Sequence, residues 1–387
     1  MKTNEDIKNL KKAADRILRA IKRKEKIILY GDADLDGATS VIILKETIQN
    51  LGGSVSAVYF PDREKEGYGI NEKALCYLKK ISPALLIVLD CGISNFKEVK
   101  LAKELGFEVI IIDHHQVLDK LPKPAIIVDP KQKGDNYSFK KLANVGIVFK
   151  LSQKMLGNNL SSSLRNNFLE LVALGTVADM MPLKEENKIF LIEGMDSLKK
   201  TFRPGLKVFQ KLKVFKEIKS AEEFLQKIVS VLNISDVKEH LTETYIILTS
   251  KNIKTAEVIA KKLLKKSLER KYKIEDITGE IEKIVSKKPE EIIIFEGSGK
   301  WPLVVLGAVA SRICYKYRKP VFIFKKGKEK SRGAVRTPSG IDGVEAMKKC
   351  SKFLDTFGGH ALAAGFYIKN ENLEAFKDCL IKHFRNF

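Results

Sequence analysis

Between residues 26 and about 190, short apolar runs alternate with amphipathic stretches, and no other feature of the 387-residue chain restricts its fold so strongly. The runs at 26–31 (KIILYG), 54–60 (SVSAVYF), 84–90 (ALLIVLD), 108–113 (EVIIID) and 125–130 (AIIVDP) have the length and β-branched content of buried strands. A helix is expected over 39–51 (TSVIILKETIQNL), after a loop, and another over 95–106 (NFKEVKLAKELG), stopped by Gly106. Helical crossovers return the chain to the same end of the sheet. The expected fold class is therefore α/β, with a mostly parallel sheet flanked by helices on both faces. Ligands of such sheets gather beyond the carboxyl ends of the strands, and the acidic clusters fall at those ends.

Residues 187–285 are helical in pattern, rich in Lys and Glu and low in glycine, and 267–288 (SLERKYKIEDITGEIEKIVSKK) reads as a long solvated helix. A second α/β unit follows, with strands at 291–297, 320–324, 331–337 and 361–368 and helices at 306–317 and near 343–354. The expected division is a sheet domain over 1–190, a helical connector over 191–285 and a smaller α/β domain over 286–387.

Gly31-Asp32-Ala33-Asp34-Leu35-Asp36-Gly37 lies between a strand and a helix. Three carboxylates at alternate positions repel one another unless a cation sits among them. An EF-hand loop opens in the same way, but it needs a preceding helix and a Glu six residues after the glycine, where this chain has Ile43. Later strands end in Asp90 and in Asp113-His114-His115, and Asp179 closes a helical run. Hard oxygen donors mixed with one or two imidazoles suit Mn²⁺ or Mg²⁺ better than structural Zn²⁺. The set is large enough for two ions sharing a carboxylate, the arrangement used for metal-assisted phosphoester hydrolysis.

The motifs GDADLDG (31–37), LDCGIS (89–94), DHH (113–115) and GTVADMMPL (175–183) resemble, in order and spacing, those of the DHH phosphoesterase superfamily. FGGHALAAG (357–365) resembles the signature of the accessory DHHA1 domain. Segments 61–70, 142–151, 203–206 and 306–324 are similar to the RecJ single-stranded-DNA exonucleases in particular. The resemblance implies a DHH catalytic domain and a DHHA1 substrate-binding domain. It implies a two-metal 5′→3′ exonuclease on single-stranded DNA that releases nucleotide monophosphates and serves DNA repair and recombination. Two divalent cations, Mn²⁺ preferred and Mg²⁺ possible, are the expected cofactors. The implied ligands are Asp32, Asp34, Asp36, Asp90, His114 and Asp179, with Asp90 bridging. Asp113 is expected to orient His114, and His115 to stabilise or protonate the leaving oxygen. Arg63, Arg332, Arg336, Gly358, Gly359 and His360 are the implied substrate contacts, the two glycines forming a turn where backbone approaches phosphate.

Three positions depart from the RecJ pattern. Ala334 replaces a serine, Trp301-Pro302-Leu303 lacks a histidine, and Leu232-Asn233-Ile234-Ser235-Asp236 lacks an arginine. Only a strand and a helix are expected after the Gly-Gly-His element, so a two-domain core without an OB-fold is expected. An oligoribonuclease or cyclic-dinucleotide phosphodiesterase is the enzymatic alternative, and a non-catalytic replication scaffold the alternative from another class.

Composition adds partners and compartment. A net charge of +22, from 70 basic and 48 acidic side chains, favours polyanionic ligands, although lysine-biased coding inflates such counts as well. RNA is a possible second substrate, and a helicase or single-strand-binding protein a possible partner. Five scattered cysteines without a CxxC pair argue against a disulfide framework. With no secretory leader and no apolar run long enough for a membrane, a cytoplasmic location without membrane contact is expected.

Overall fold

The computed structural model describes residues 6–63, 65–117, 120–123 and 125–385; the His360 side chain, Glu64 and residues 1–5 lie outside that description. The chain forms two compact units, Met1–Lys266 and Ser267–Phe387.

The first unit opens with α1 (Leu10–Lys22), β1 (Ile27–Gly31), α2 (Leu35–Asn50), β2 (Ala57–Tyr59) and α3 (Glu72–Leu78). It continues through β3 (Ala84–Leu89), α4 (Phe96–Glu104), β4 (Phe107–Ile112), β5 (Ile126–Val128), α5 (Asn144–Leu156) and α6 (Ser162–Ala178). The five strands pair in parallel in the order β2-β1-β3-β4-β5. Alternate residues feed two cores. Ile27, Leu29, Leu85, Ile87, Ile110 and Ile112 pack with α1, α2, α5 and α6, whereas Ile28, Tyr30, Leu86, Val88, Val109 and Ile111 pack with α3 and α4. Burial on both faces is why these strands read as continuous apolar runs, each large side chain contributing roughly 1.5–3 kcal/mol. The chain leaves β1 in one direction, for β2, and then crosses to β3 on the other side. The switch point therefore lies between β1 and β3, where a ligand crevice is expected.

Next come α7 (Glu185–Lys199), α8 (Pro204–Lys211), α9 (Lys213–Lys216), α10 (Ala221–Leu232), the hairpin β6 (Val237–Lys238) and β7 (Leu241–Thr242), and α11 (Glu243–Thr249). The helix α12 (Ile253–Val285) spans the division between the units. It is not the wholly solvated helix its charge suggests. Ala256, Ala260 and Leu263 join the first unit's core, and Ile274, Ile277, Ile281 and Val285 join a core of the second. The apolar stripe is narrow enough to be masked by the flanking Lys and Glu.

The second unit adds β8 (Ile294–Ser298), α13 (Leu303–Tyr317), β9 (Val321–Lys326), β10 (Lys330–Arg336), α14 (Gly343–Lys349), β11 (Leu354–His360), β12 (Ala363–Lys369) and α15 (Leu373–Arg385). Its sheet, β11-β12-β10-β9-β8, is antiparallel except for the β8–β9 pair. One face packs on α12 and α13, the other on α14 and α15. Two expectations are corrected here. Gly358 and Gly359 do not form the expected turn. They lie within β11, opposite Gly365 and Ala364 of β12; at Gly359 glycine permits a close strand approach, since a Cβ there would meet the Ala363 carbonyl oxygen at 2.6 Å. Cys350 and Cys379 form a disulfide with their Cα atoms 6.0 Å apart, a pairing between α14 and α15 that no local spacing announces. Among the described residues, no helix is long and apolar enough to cross a membrane.

Candidate metal centre

Three aspartates extend the parallel ladder one residue past the strand ends. Asp32 donates its backbone N–H to the Leu89 carbonyl (3.1 Å), Asp90 to Ile112 (3.0 Å) and Asp113 to Val128 (3.0 Å). The register therefore hangs their carboxyl groups at one level, and all three are buried. The helix α2 begins at Leu35, earlier than its apolar spacing indicates, because Asp34 caps it by accepting from the Gly37 N–H at 3.0 Å. Asp36 thus belongs to the first helical turn rather than to the loop. Its oxygens accept from the Asn144 and Val145 N–H groups (2.8 and 2.9 Å) at the start of α5. Gly37 lets the start of α2 close against the backbone of Asp32, since a Cβ there would lie 2.3 Å from the Asp32 carbonyl oxygen. Gly175 lets α6 approach the Asp36 carboxylate, where a Cβ would meet Asp36 Oδ1 at 2.9 Å. Asp179 ends α6 as its C-terminal cap.

The donor atoms converge into three groups, each within 4.8 Å: Asp32, Asp34 and Asp90; Asp36, His114 and Asp179; and Asp90, His114 and His115. His114 Nδ1 donates to the Leu142 carbonyl at 3.1 Å, which leaves the Nε2 lone pair facing Asp90 Oδ1 at 3.3 Å and Asp179 Oδ2 at 3.4 Å. Burial, and then the neighbouring His115, push His114 down to about 3, so its imidazole is neutral. Three acceptors thus face one another, all buried and without hydrogen-bond partners among the described residues. Such groups are costly unless something satisfies them. A divalent cation does so, and the oxygen and imidazole donors fit Mn²⁺ or Mg²⁺. Burial followed by carboxylate repulsion drives Asp90 and Asp36 well above the ordinary carboxylate range, a shift that a divalent cation among them would reverse.

The guanidinium of Arg63 lies across this group rather than free at its mouth. It is hydrogen-bonded to both oxygens of Asp32 and, at 2.9 Å, to Asp34 Oδ2. The assignment of Asp113 to His114 is corrected. Asp113 Oδ1 accepts from His115 Nδ1 at 2.7 Å, while the Leu142 carbonyl fixes the His114 ring. Burial lowers the His115 pKa, but the Asp113 bond and surrounding carboxylates outweigh it and raise the group to about 9. The opposing effects leave Asp113 at about 2: burial pushes up, and His115 pulls down more strongly. The Tyr68 hydroxyl lies 3.3 and 3.4 Å from the two His115 ring nitrogens and donates to the Asp90 carbonyl at 3.2 Å.

Two residues near this centre escaped the sequence reading. Asp129 follows β5, is fully buried and is raised by burial to about 7; the run AIIVDP carried its signal. Lys131 donates to the His114 carbonyl, and nothing in its local sequence marks it.

In the second unit, Arg332 and Arg336 project from the same face of β10. Arg332 is exposed, whereas Arg336 is half-buried, with Nε donating to Ser311 Oγ at 3.0 Å. Ala334 stands between them, in cross-strand register with Gly365 and, beyond it, Gly358.

Two family descriptions match parts of the chain. The description "DHH family, N-terminal domain" matches residues 26–176, and "DHHA1 domain" matches 290–386. The chain thus carries one segment similar to the DHH family's N-terminal domain and another similar to the DHHA1 domain. Its RecJ-like character follows from its relatives. The single-stranded-DNA-specific exonuclease RecJ of Bacillus subtilis is 37% identical over 372 residues, covering 95% of this chain and 47% of that protein. The chain thus spans about half the length of this relative. A crystal structure of exonuclease RecJ bound to manganese superposes with a TM-score of 0.82 at 27% identity, covering 100% of this chain and 96% of the other. RecJ of Thermus thermophilus in complex with Mn²⁺ gives 0.84 at 25% identity, covering 100% of this chain and 56% of the other.

Proposed function

We propose that this RecJ-like chain is a Mn²⁺- or Mg²⁺-dependent exonuclease that hydrolyses single-stranded DNA from the 5′ end and releases nucleotide monophosphates. The observation that carries the reading is the convergence of Asp90 Oδ1, His114 Nε2 and Asp179 Oδ2, buried and unpartnered. The manganese in the two RecJ structures supports the choice of metal.

Asp32, Asp34 and Asp90 would hold one ion and Asp36, His114 and Asp179 a second, with Asp90 adjoining both groups. When bound, the pair supplies a hydroxide nucleophile and neutralises charge on the phosphate. His115, kept protonated by Asp113, stabilises or protonates the leaving oxygen. Arg63, once the carboxylates have cations, is freed to contact phosphate. Residues 1–190 then form the catalytic domain, 191–285 a helical connector and 286–387 the substrate-binding domain. Arg332, Arg336, Gly358, Gly359 and His360 hold the strand there. A cytoplasmic location, and supply of strands by a helicase or single-strand-binding protein, belong to the same reading.

Oligonucleotides labelled at either end provide the test. With Mn²⁺, label at the 5′ end of a single strand is expected to appear first, as mononucleotide, with duplex DNA resistant. Earlier release of 3′ label, equal attack on duplex, or preference for a dinucleotide contradicts the proposal. Arg336→Ala is expected to raise KM roughly tenfold, the loss of one charge-assisted phosphate contact, and to reduce the salt dependence of binding by about one unit of slope. Titration of binding against salt for both proteins checks this, and an unchanged slope would remove Arg336 from the strand's path.

A further inference from the structure

The hairpin of β6 and β7 turns through Glu239 (φ 49°) and His240 (φ 62°), both left-handed. Glycine or asparagine is the easy choice at both positions of such a two-residue turn. A histidine held there signals a use for its ring. The ring stacks on Tyr59 (centroids 4.2 Å apart, planes at 17°) and packs on Tyr77 at 4.5 Å, while the His240 carbonyl accepts from the Phe60 N–H at 2.8 Å. Tyr59 in turn stacks on Tyr30 of β1 at 5.4 Å. Both tyrosines tie down the loop that follows β2. Tyr59 donates to Glu66 Oε1 (2.7 Å), Glu66 Oε2 accepts from the Asp62 N–H (2.7 Å), and Tyr30 donates to the Gly69 carbonyl (2.8 Å). This is the loop that carries Arg63 and Tyr68.

At the other end of the segment, Asn233 Oδ1 accepts the Leu35 N–H at 3.2 Å. Leu35 is the first residue of α2, between Asp34 and Asp36, and its N–H has no intrahelical acceptor. The base of the hairpin is fixed by the buried Glu243, which receives Lys262 and Lys266 of α12. The segment 233–240 therefore touches both the aspartate loop and the arginine–tyrosine loop, without itself reaching the reacting atoms.

We propose that Asn233 and His240 are positioning residues, a two-point clamp in which Asn233 sets the aspartate loop for metal and His240 sets the Arg63–Tyr68 loop for substrate. The substrate half rests on the exonuclease reading above; the metal half does not. Misplacement by an ångström is enough to change substrate engagement severely.

His240→Gly relieves the left-handed strain while deleting the stack, so it separates positioning from stability. This variant is expected to keep its Tm, raise KM for a single-stranded oligonucleotide roughly tenfold and change kcat no more than about twofold. His240→Phe, which retains a ring, is expected to restore KM. Asn233→Ala is expected to weaken Mn²⁺ binding several-fold by calorimetry, whereas His240→Gly leaves it unchanged. An unaltered KM in His240→Gly, a Phe variant as impaired as the Gly variant, or wild-type Mn²⁺ affinity in Asn233→Ala overturns the clamp. If the wild-type protein binds Mn²⁺ but does not degrade strands, the exonuclease reading fails while the calorimetric arm still decides the Asn233 contact.

Discussion

Asp90→Ala is expected to lower Mn²⁺-dependent hydrolysis by about 10³-fold or more, since losing the shared carboxylate removes several kcal/mol of charge stabilisation. Binding of a single strand is expected to stay within about twofold, because phosphate contacts to other basic side chains dominate affinity. The same substitution has an opposite signature without metal. Burial, and then repulsion from Asp36, Asp34, Asp32 and Asp179, raise the Asp90 pKa well above the usual range. Removing it relieves that repulsion, so the metal-free variant is expected to melt at a higher temperature than the wild type. Adding Mn²⁺ then stabilises the wild type strongly and the variant little. Thermal melts with and without Mn²⁺ check this crossover. A variant destabilised under both conditions would mean that Asp90 serves the fold rather than an ion.

His115→Ala carries the second large effect. A positioned general acid typically contributes about 10²–10⁴-fold to rate, and a loss in that range is expected in kcat. The affinity for Mn²⁺ is expected to remain, because the His114 ring is set independently by the Leu142 carbonyl. Asp113→Asn is expected to give a smaller loss of the same kind, since the amide still bonds the ring but no longer favours its charged form. Single-turnover rates beside calorimetric Mn²⁺ titrations check the separation. Equal loss of metal binding in His115→Ala would make His115 a ligand instead.

The sheet of the first unit was legible because its strands are buried on both faces, so that composition alone marks them. The candidate site was legible for a related reason: a carboxylate that ends an apolar strand has no structural excuse, and Asp32, Asp90 and Asp113 all do so. The finer geometry was not legible. That Asp113 turns to His115 depends on the Leu142 carbonyl, 28 residues further along, already occupying His114. The engagement of Arg63 with Asp32 follows from how the loop after β2 folds back. Gly358 and Gly359 were misread because glycine pairs mark turns and close strand approaches alike. The contacts of Asn233 and His240 span 198 residues to Leu35 and a tertiary aromatic stack, with no local pattern to announce them.

The most direct measurement is anomalous diffraction at the manganese edge from crystals of this chain grown with Mn²⁺. Two peaks are expected, one bounded by Asp32, Asp34 and Asp90 and the other by Asp36, His114 and Asp179, with Arg63 withdrawn from Asp32. An absence of signal there at saturating Mn²⁺, with Arg63 still bound to Asp32 and Asp34, would contradict the account.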